Sequence, residues 1–247
     1  MSYSTVSALM TGICDAIRTK DGTTAQINHQ DIPDRIAAIE TGMTIGDFFR
    51  QQYPKNPCEI DGICNVPAIF SGDLNLISIR GTQVTDIQAR TFNGCSNLVS
   101  AEFPEVRSLG EYCFSNTASL EAFNSPECYD VGQRCFQGSG VETVKLGACS
   151  VSVYCFSGCS SLTTVEFTNL LSVADYAFEN CSNLETIILR NTSTIPSLTS
   201  TAFRGASKLG NYQGAIYITD ALVNSLKAAT NWSVYAPIIY PLSDLEA

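Results

Sequence analysis

The sequence predicts a mainly β solenoid of about seven stacked coils of roughly 22 residues, with a small helical N-terminal segment and a helix-containing C-terminal cap. The first observation behind this prediction is a phenylalanine that recurs at spacings of 22, 22, 22, 20, 22 and 25 residues. The second is the composition, since 45% of the 247 residues are hydrophobic and only 15% are charged. The recurring residues are Phe70, Phe92, Phe114, Phe136, Phe156, Phe178 and Phe203.

Other apolar positions keep a fixed distance from these rings. An aliphatic residue stands five positions before six of them, and a leucine stands six positions after six of them. The fourth coil is two residues short and places Val141 five positions after its ring. Because one coil cannot bury its apolar side chains alone, columns in register predict a continuous stacked core. The columns are Ile87, Leu109, Val131, Val151, Val173 and Leu198, and Leu76, Leu98, Leu120, Leu162, Leu184 and Leu209.

The first 43 residues differ in character from the coils. Apolar residues recur at helical spacing between Val6 and Ile17, and a second helix is predicted from Pro33 to Ile39, with the proline in its first turn. The predicted organisation is a helical attachment segment over 1–43, a connector over 44–65, the solenoid over 66–219 and a cap over 220–247.

Each coil is expected to contribute one short parallel strand with one buried face. Apolar residues lie two positions apart near the ends of these segments, which is the pattern of a half-buried strand. With strands about 4.8 Å apart, seven coils predict a sheet roughly 30 Å long. The clearest segments are Leu98 to Phe103, Val141 to Leu146, Leu162 to Phe167 and Leu184 to Leu189, and tight turns are predicted at Asn93-Gly94, Ser157-Gly158 and Glu179-Asn180.

A motif of a small residue and Phe, then two residues, Cys, two residues and Leu recurs in the coils. It appears as Thr91-Phe92-Asn93-Gly94-Cys95-Ser96-Asn97-Leu98, and again over Cys155 to Leu162 and over Ala177 to Leu184. These columns resemble the BspA-type leucine-rich repeat over about residues 66–219, so the predicted fold class is a leucine-rich-repeat solenoid. The resemblance implies a role in adhesion or protein recognition on bacterial surfaces or in bacteriophages. The cysteine column departs from the motif at Asp73, Thr117, Ser139 and Ala206.

A second resemblance concerns the N-terminal segment. The runs Cys14 to Thr24 and Ile32 to Ile39 resemble a short N-terminal module of phage tail-associated proteins from Gram-positive gut bacteria. The resemblance covers about forty residues. It implies that residues 1–43 attach the chain to a larger assembly and leave the solenoid facing outward.

The end of the chain is expected to cover the last coil, because terminal coils of a solenoid otherwise expose core to water. Asp220 is predicted to be the N-cap of a helix that runs to about Thr230, with Ala221, Leu222 and Leu226 on one face. Bulky cover is predicted from Trp232, Tyr235, Ile238 and Ile239.

The charge balance narrows the classes of partner. The net charge is −10, which repels nucleic acid and anionic membranes, and no run of about 18 apolar residues predicts a membrane span. The first basic residue is Arg18, so no secretory signal is predicted. The expected location is on a virion or at a cell surface, with protein or a cell-surface glycan as partner.

Eleven cysteines first suggest disulfides or a metal, but their phase indicates core packing. Most recur at the same positions as Val, Ala, Leu or Thr in other coils, where a thiol acts as a small apolar group. Cys58 and Cys64 lie outside these columns, and a disulfide between them is left open. No second ligand pair follows them, so no metal site is predicted. The columns are Cys113, Cys135 and Cys155, then Cys95, Cys159 and Cys181, then Cys128 and Cys149.

The residues for catalysis are largely missing. His29 is the single histidine and stands between Asn28 and Gln30, as in an exposed loop or helix start. Cys14 could be paired with it as a nucleophile, but Cys14 falls on the apolar stripe of the first helix. No phosphate-binding loop, zinc-protease motif or nucleophile elbow occurs. We therefore predict a non-enzymatic protein without a cofactor.

Any binding face is expected on the outward side of the strands. That side carries hydroxyls and carboxylates with one lysine, a pattern that also suits a plain soluble β-face. The function predicted is recognition or adhesion, phage-encoded and tail-associated, with a bacterial surface adhesin as the alternative and an enzyme on a solenoid scaffold as a third possibility. The candidate binding residues are Ser100, Glu102, Asn124, Thr143, Lys145, Thr164, Glu166 and Thr186.

Overall fold

The computed structural model describes residues 58–60, 64–66, 68, 70–147, 150–191 and 193–246, so the predicted N-terminal helices lie outside the described residues. All of the described strands are short, with two to four residues each. They are β1 (Cys58–Glu59), β2 (Asn65–Val66), β3 (Ser78–Arg80), β4 (Asp86–Ile87), β5 (Ser100–Glu102), β6 (Ser108–Leu109), β7 (Ala122–Ser125), β8 (Asp130–Val131), β9 (Thr143–Leu146), β10 (Ser150–Val151), β11 (Thr164–Phe167), β12 (Ser172–Val173), β13 (Thr186–Leu189), β14 (Ser197–Leu198), β15 (Ala215–Ile218) and β16 (Ile239–Pro241).

The strands form one large parallel sheet and two small ones. The large sheet, which we call the nine-stranded sheet, has the order β1-β3-β5-β7-β9-β11-β13-β15-β16. Successive coils supply neighbouring strands in exact alignment, as in the pairing of Val144 with Val165 and of Val165 with Ile187. This is the leucine-rich-repeat solenoid that the sequence predicts. The sheet begins at Cys58, within the stretch that the sequence leaves as a connector.

A second strand in each coil was not predicted. These two-residue strands form the sheets β2-β4-β6-β8 and β10-β12-β14, and each buries its second residue, such as Ile87 or Val173. Six of those seven buried residues are the aliphatic column that stands five positions before the rings, and the seventh, Val66 of β2, stands four positions before Phe70. A strand of two residues is too short to show the alternation of buried and exposed residues by which strands are recognised. The sequence therefore reveals the buried column but not the strand.

The stacked phenylalanines form the centre of the core. Neighbouring rings lie 5.1 to 5.5 Å apart between centroids and are nearly parallel, at 7° to 19°. All seven are buried, and the leucine column is buried with them. The predicted turns after the rings are confirmed by left-handed backbone at Gly94, Gly158 and Asn180, where φ is 75°, 76° and 57°.

The longest spacing, between Phe178 and Phe203, comes from extra residues between β13 and β14. Asn191 lies in this insertion and is completely buried. Its amide oxygen accepts a hydrogen bond from the backbone N–H of Leu170 at 2.9 Å, and its amide nitrogen donates to the Leu170 carbonyl at 2.7 Å. The side chain thus supplies the hydrogen bonds that a regular coil would make through its backbone.

The C-terminal cap contains helices, as predicted, but Asp220 does not cap one. A short α-helix, α1 (Ser207–Gly210), precedes the cap, and the cap itself holds α2 (Val223–Ala228) with 3-10 turns at Asp220–Leu222, Ser233–Ile238 and Leu242–Asp244. Asp220 makes no capping bond and instead accepts a hydrogen bond from the backbone N–H of Ser243 at 3.1 Å. This contact lowers the pKa of Asp220.

The cap covers the last coil with large side chains. Leu226 is buried and Leu222 packs on the core, whereas Ala221 is exposed, so the predicted helical face is only partly correct. Trp232, Ile238 and Ile239 are buried as predicted, and Tyr235 meets Phe203 edge-on at 5.5 Å. None of the helices in the described residues is long and apolar enough to span a membrane.

Candidate functional site

The outward face of the nine-stranded sheet is the candidate binding surface. Two rows of side chains run along it because alternate residues of each strand point away from the core. We call them the hydroxyl row and the charged row. The hydroxyl row is Ser78, Ser100, Ala122, Thr143, Thr164, Thr186 and Ala215, and the charged row is Arg80, Glu102, Asn124, Lys145, Glu166, Ile188, Tyr217 and Tyr240.

The structure brings the eight candidate residues together on this face. Ser100, Thr143, Thr164 and Thr186 belong to the hydroxyl row and are exposed or half-buried. Their neighbours in each strand, such as Val144, are buried, which leaves the hydroxyls on the solvent side. The other four candidates, Glu102, Asn124, Lys145 and Glu166, belong to the charged row, where they are likewise exposed or half-buried.

Charges in this row are neutralised by one another and by Arg190, which lies beside the row. The Glu166 carboxylate lies 2.9 Å from Lys145 Nζ and 2.7 Å from Arg190 Nε, and Arg190 also binds Glu246 at 2.8 Å. Partial burial raises the pKa of Glu166, but hydrogen bonds from Lys145 and Arg190 outweigh it and hold that pKa below its ordinary value. The same face is therefore polar without being a strong site for either sign of charge.

Tyrosines at the C-terminal end of the charged row were missed in the sequence. Tyr217 and Tyr240 are paired in register on β15 and β16, and their ring centroids lie 6.0 Å apart. Ile188 precedes them in the same row and is 8% exposed. The alternation in Ala215–Ile218 already places Tyr217 outward, but only the stacking shows that Tyr240 continues the row. This end offers aromatic surface that the other strands of the face lack.

A shallow groove of about 380 Å³ opens where β5 meets β7. These strands pair through one residue pair, Ser100 with Ala122, whereas β7 pairs with β9 over four. Glu102 and Asn124 line the groove from its two sides. Three of the predicted candidate residues therefore border a recess rather than a flat sheet.

The predicted core role of the cysteines is confirmed for those that the structure describes. Cys95, Cys113, Cys128, Cys135, Cys155, Cys159 and Cys181 are all buried, while Cys149 lies outside the described residues.

Some of these thiols also act as donors. Cys159 Sγ donates to the Phe136 carbonyl at 2.9 Å, and Cys181 Sγ to the Phe156 carbonyl at 3.0 Å, so each ties its coil to the preceding one. Burial raises the pKa of Cys159 to about 11, although hydrogen bonds with Ser139 oppose the shift.

Little in the described part of the chain resembles a catalytic or metal centre. No three His, Cys, Asp or Glu side chains gather there at metal-binding distances. Cys58 is buried and Cys64 is exposed, and the two are not bonded to each other. His29 and Cys14 lie outside the described residues.

The family comparison agrees with the repeat architecture. The sequence-family model for the BspA type leucine-rich repeat region matches residues 67–149 and 130–220, with six copies of the repeat. A leucine-rich repeat protein from Bacteroides ovatus has a similar structure at 13% identity and a TM-score of 0.39, with 66% of this chain and 64% of that protein covered. No protein of curated function matches the sequence.

Proposed function

The chain belongs to the BspA-type leucine-rich repeat family, and from this premise we propose that it is a non-enzymatic module that binds a protein partner through the outward face of its nine-stranded sheet. Proteins of this fold are typically scaffolds for binding. The observation that carries the proposal is the continuity of the two rows, from Arg80 to Tyr240, across strands of one sheet. The seven spacings of about 4.8 Å from β3 to β16 make the charged row roughly 34 Å long.

The chemistry of the face favours a protein surface as partner. Tyr217 and Tyr240 offer an aromatic anchor, and tyrosine is enriched among residues that dominate binding energy. The hydroxyl row beside it supplies short side chains that adapt to different hydrogen-bond partners at little entropic cost. The charged row is largely paired, through Arg80 with Glu102 and Lys145 with Glu166, so the face can be covered without leaving many charges unpartnered.

Binding of the fluorescently labelled full chain to bacterial cell-surface preparations tests this proposal. We expect binding that protease treatment of the surface removes and that Thr164→Arg or Tyr217→Ala weakens about tenfold or more. Ser161→Arg is the matched control, because Ser161 is exposed in a turn outside the two rows. Equal binding by Thr164→Arg and wild type would refute the sheet face, and binding that survives protease but not periodate would identify a glycan instead.

The wider setting of the module is a further part of the proposal. The resemblance of residues 14–39 supports a phage tail-associated protein whose N-terminal segment joins a larger particle and whose solenoid contacts a host surface component. A bacterial surface adhesin is the alternative, and it uses the same face. The neighbouring genes distinguish the two: tail genes support the phage assignment, and a sortase or secretion cassette contradicts it.

A further inference from the structure

A third row of side chains runs along the coils two positions before the stacked phenylalanines. Guanidinium groups lie over tyrosine rings in this row, at 4.7 and 5.5 Å from the Tyr112 centroid, 5.0 Å from that of Tyr154 and 5.1 Å from that of Tyr176. Tyr154 and Tyr176 stack on each other at 5.1 Å and 10°. We call this row the arginine–tyrosine ladder; its members are Arg90, Tyr112, Arg134, Tyr154 and Tyr176, and Arg204, which directly follows Phe203 in the chain, covers the last ring and closes the ladder.

The backbone of the ladder is held in an unusual conformation. Its first five members have φ between 55° and 63°, a region that bulky L-residues rarely adopt and that glycine adopts freely. Five consecutive coils therefore keep a large side chain where glycine would fit more easily. Persistent backbone strain of this kind concentrates at sites where the side chain has a use.

The faces of the ladder tyrosines are already occupied. Tyr112 lies between Arg90 and Arg134, which come from the coils on either side of it, and Tyr154 lies between Arg134 and Tyr176. Ring edges, hydroxyls and guanidinium N–H groups remain for a ligand, and the edge of an aromatic ring is its positive part. A sugar ring, which stacks on an open aromatic face, finds none here, whereas a carboxylate finds donors and positive edges.

Two of the arginines retain binding capacity in an acidic chain. The chain has 24 acidic and 14 basic residues, yet neither Arg90 nor Arg134 pairs with a carboxylate within the described residues. Arg134 donates to the Tyr112 hydroxyl, and Arg204 is paired with Glu179 at 3.1 Å. A stacked guanidinium keeps its in-plane N–H groups for bidentate contact with a carboxylate.

We propose that the arginine–tyrosine ladder binds an extended acidic segment of a protein partner, with carboxylates on Arg90 and Arg134. Their guanidinium carbons are at most about 10 Å apart, since they lie 4.7 and 5.5 Å from the same ring centroid. A polyproline II segment has three residues per turn and rises about 3.1 Å per residue, so carboxylates three residues apart fall on one side at roughly 9 Å. This surface is separate from the nine-stranded sheet, and the proposal does not depend on the sheet face.

A peptide of four Glu-Pro-Pro repeats, labelled with fluorescein and titrated with the full chain, is a direct probe of this site by fluorescence anisotropy. We expect saturable binding that weakens as salt is raised, because the contacts are ionic. The same peptide with Gln in place of Glu should bind at least about tenfold more weakly, since carboxylate contacts to arginine are lost. Because the chain has a net negative charge, it should repel the Glu peptide more than the Gln peptide. Tighter binding of the Glu peptide would therefore indicate a local basic site.

Variants of the chain locate the binding. The double variant Arg90→Gln with Arg134→Gln should lose at least about tenfold in affinity. Arg107→Gln, an exposed arginine outside the ladder, removes the same type of charge and should leave affinity unchanged. Circular dichroism and thermal unfolding of each variant verify the fold. If the double variant unfolds, Tyr112→Phe, which removes only the hydroxyl that positions Arg134, is the second test and should also weaken binding.

Several outcomes would overturn the proposal. They are equal binding of the Glu and Gln peptides, equal loss with Arg107→Gln, and unchanged affinity in folded ladder variants. Stronger binding of a sulfated polysaccharide than of the acidic peptide through Arg90 and Arg134 would assign the site to an anionic glycan instead. Loss of cell-surface binding by Thr164→Arg with intact peptide binding would show that the two surfaces act separately.

Discussion

The indole Nε1–H of Trp232 donates a 2.7 Å hydrogen bond to the backbone carbonyl of Pro196, 36 residues earlier in the chain. The indole is completely buried and lies 6.1 Å from the ring of Phe203, the last phenylalanine of the stack. The cap is thus attached to the final coil by both a polar and an apolar contact. The Trp232 indole ends the column of phenylalanine rings, and its N–H gives the Pro196 carbonyl of the inserted loop a hydrogen-bond donor.

We expect Trp232→Ala to lower the free energy of unfolding by about 3–5 kcal/mol, because it leaves a large cavity at the end of the core. Trp232→Phe keeps much of the bulk and should cost less, about 1–3 kcal/mol, mainly for the Pro196 carbonyl that loses its donor. Urea unfolding of the full chain measures both. Val234→Ala, at a residue 57% exposed, is the control and should stay within about 0.5 kcal/mol of wild type.

Truncation of a ring in the middle of the phenylalanine stack should lower the free energy of unfolding as much as Trp232→Ala does. Phe156 is completely buried and stacks on Phe136 and Phe178 at 5.1 Å on each side. Phe156→Ala is expected to cost about 3–5 kcal/mol in urea unfolding, since neighbouring coils cannot close the gap. Leu171→Ala, at a residue 50% exposed, is the matched control. A loss below about 1 kcal/mol for Phe156→Ala would contradict a core built on the stack.

The Asn191 side chain should stabilise the fold and should not be glycosylated. Asn191→Ala removes the partners of the Leu170 N–H and carbonyl, and each unsatisfied buried group costs about 1–3 kcal/mol. Thermal unfolding of the variant checks this. Asn191 begins an Asn-Thr-Ser sequon, but its amide nitrogen is buried and engaged, so mass spectrometry of folded protein exposed to a glycosyltransferase should find it unmodified. Glycosylation there without unfolding would count against this packing.

Glu166 should make stability depend on acid pH. Its folded-state pKa is lowered, so its contribution is present above its ordinary pKa of 4.5 and is lost as pH falls through the lower folded value. Glu166→Gln should therefore lose stability at neutral pH and show a weaker acid dependence than wild type. Urea midpoints measured from pH 7 to pH 3 test this, with Glu105→Gln as an exposed control. Parallel pH profiles for wild type and Glu166→Gln would disprove the assignment.

Cysteine reactivity should follow burial. Cys64 is exposed, whereas burial raises the pKa of Cys113 and Cys181 well above the ordinary value and that of Cys159 to about 11. We expect iodoacetamide at pH 8 to label Cys64 in the native protein and the buried thiols only after unfolding. Peptide mapping by mass spectrometry resolves the sites. Native labelling of Cys159 at the rate of Cys64 would contradict the buried columns.

Much of the candidate face could be read from the sequence because it follows from periodicity. Once Val144, Val165 and Ile187 are assigned to the core, Thr164 and Glu166 must point outward. Tyr240 could not be placed in this way, since it lies beyond a helical cap whose path sets its pairing with Tyr217. The arginine–tyrosine ladder was also missed, because its first five members share a position in the repeat without sharing a residue type.

The amino-acid sequence by itself determined the number of coils, their register and the buried columns, because stacking identical coils forces residues at the repeat spacing to lie above one another. The tertiary structure alone decided which polar groups meet across coils. Glu166 accepts a hydrogen bond from Arg190, and Asn191 accepts one from Leu170, although each pair is separated by more than 20 residues in the sequence. Such contacts depend on the path and length of each loop, as in the insertion before Ser197, and a repeat period carries no information about that path.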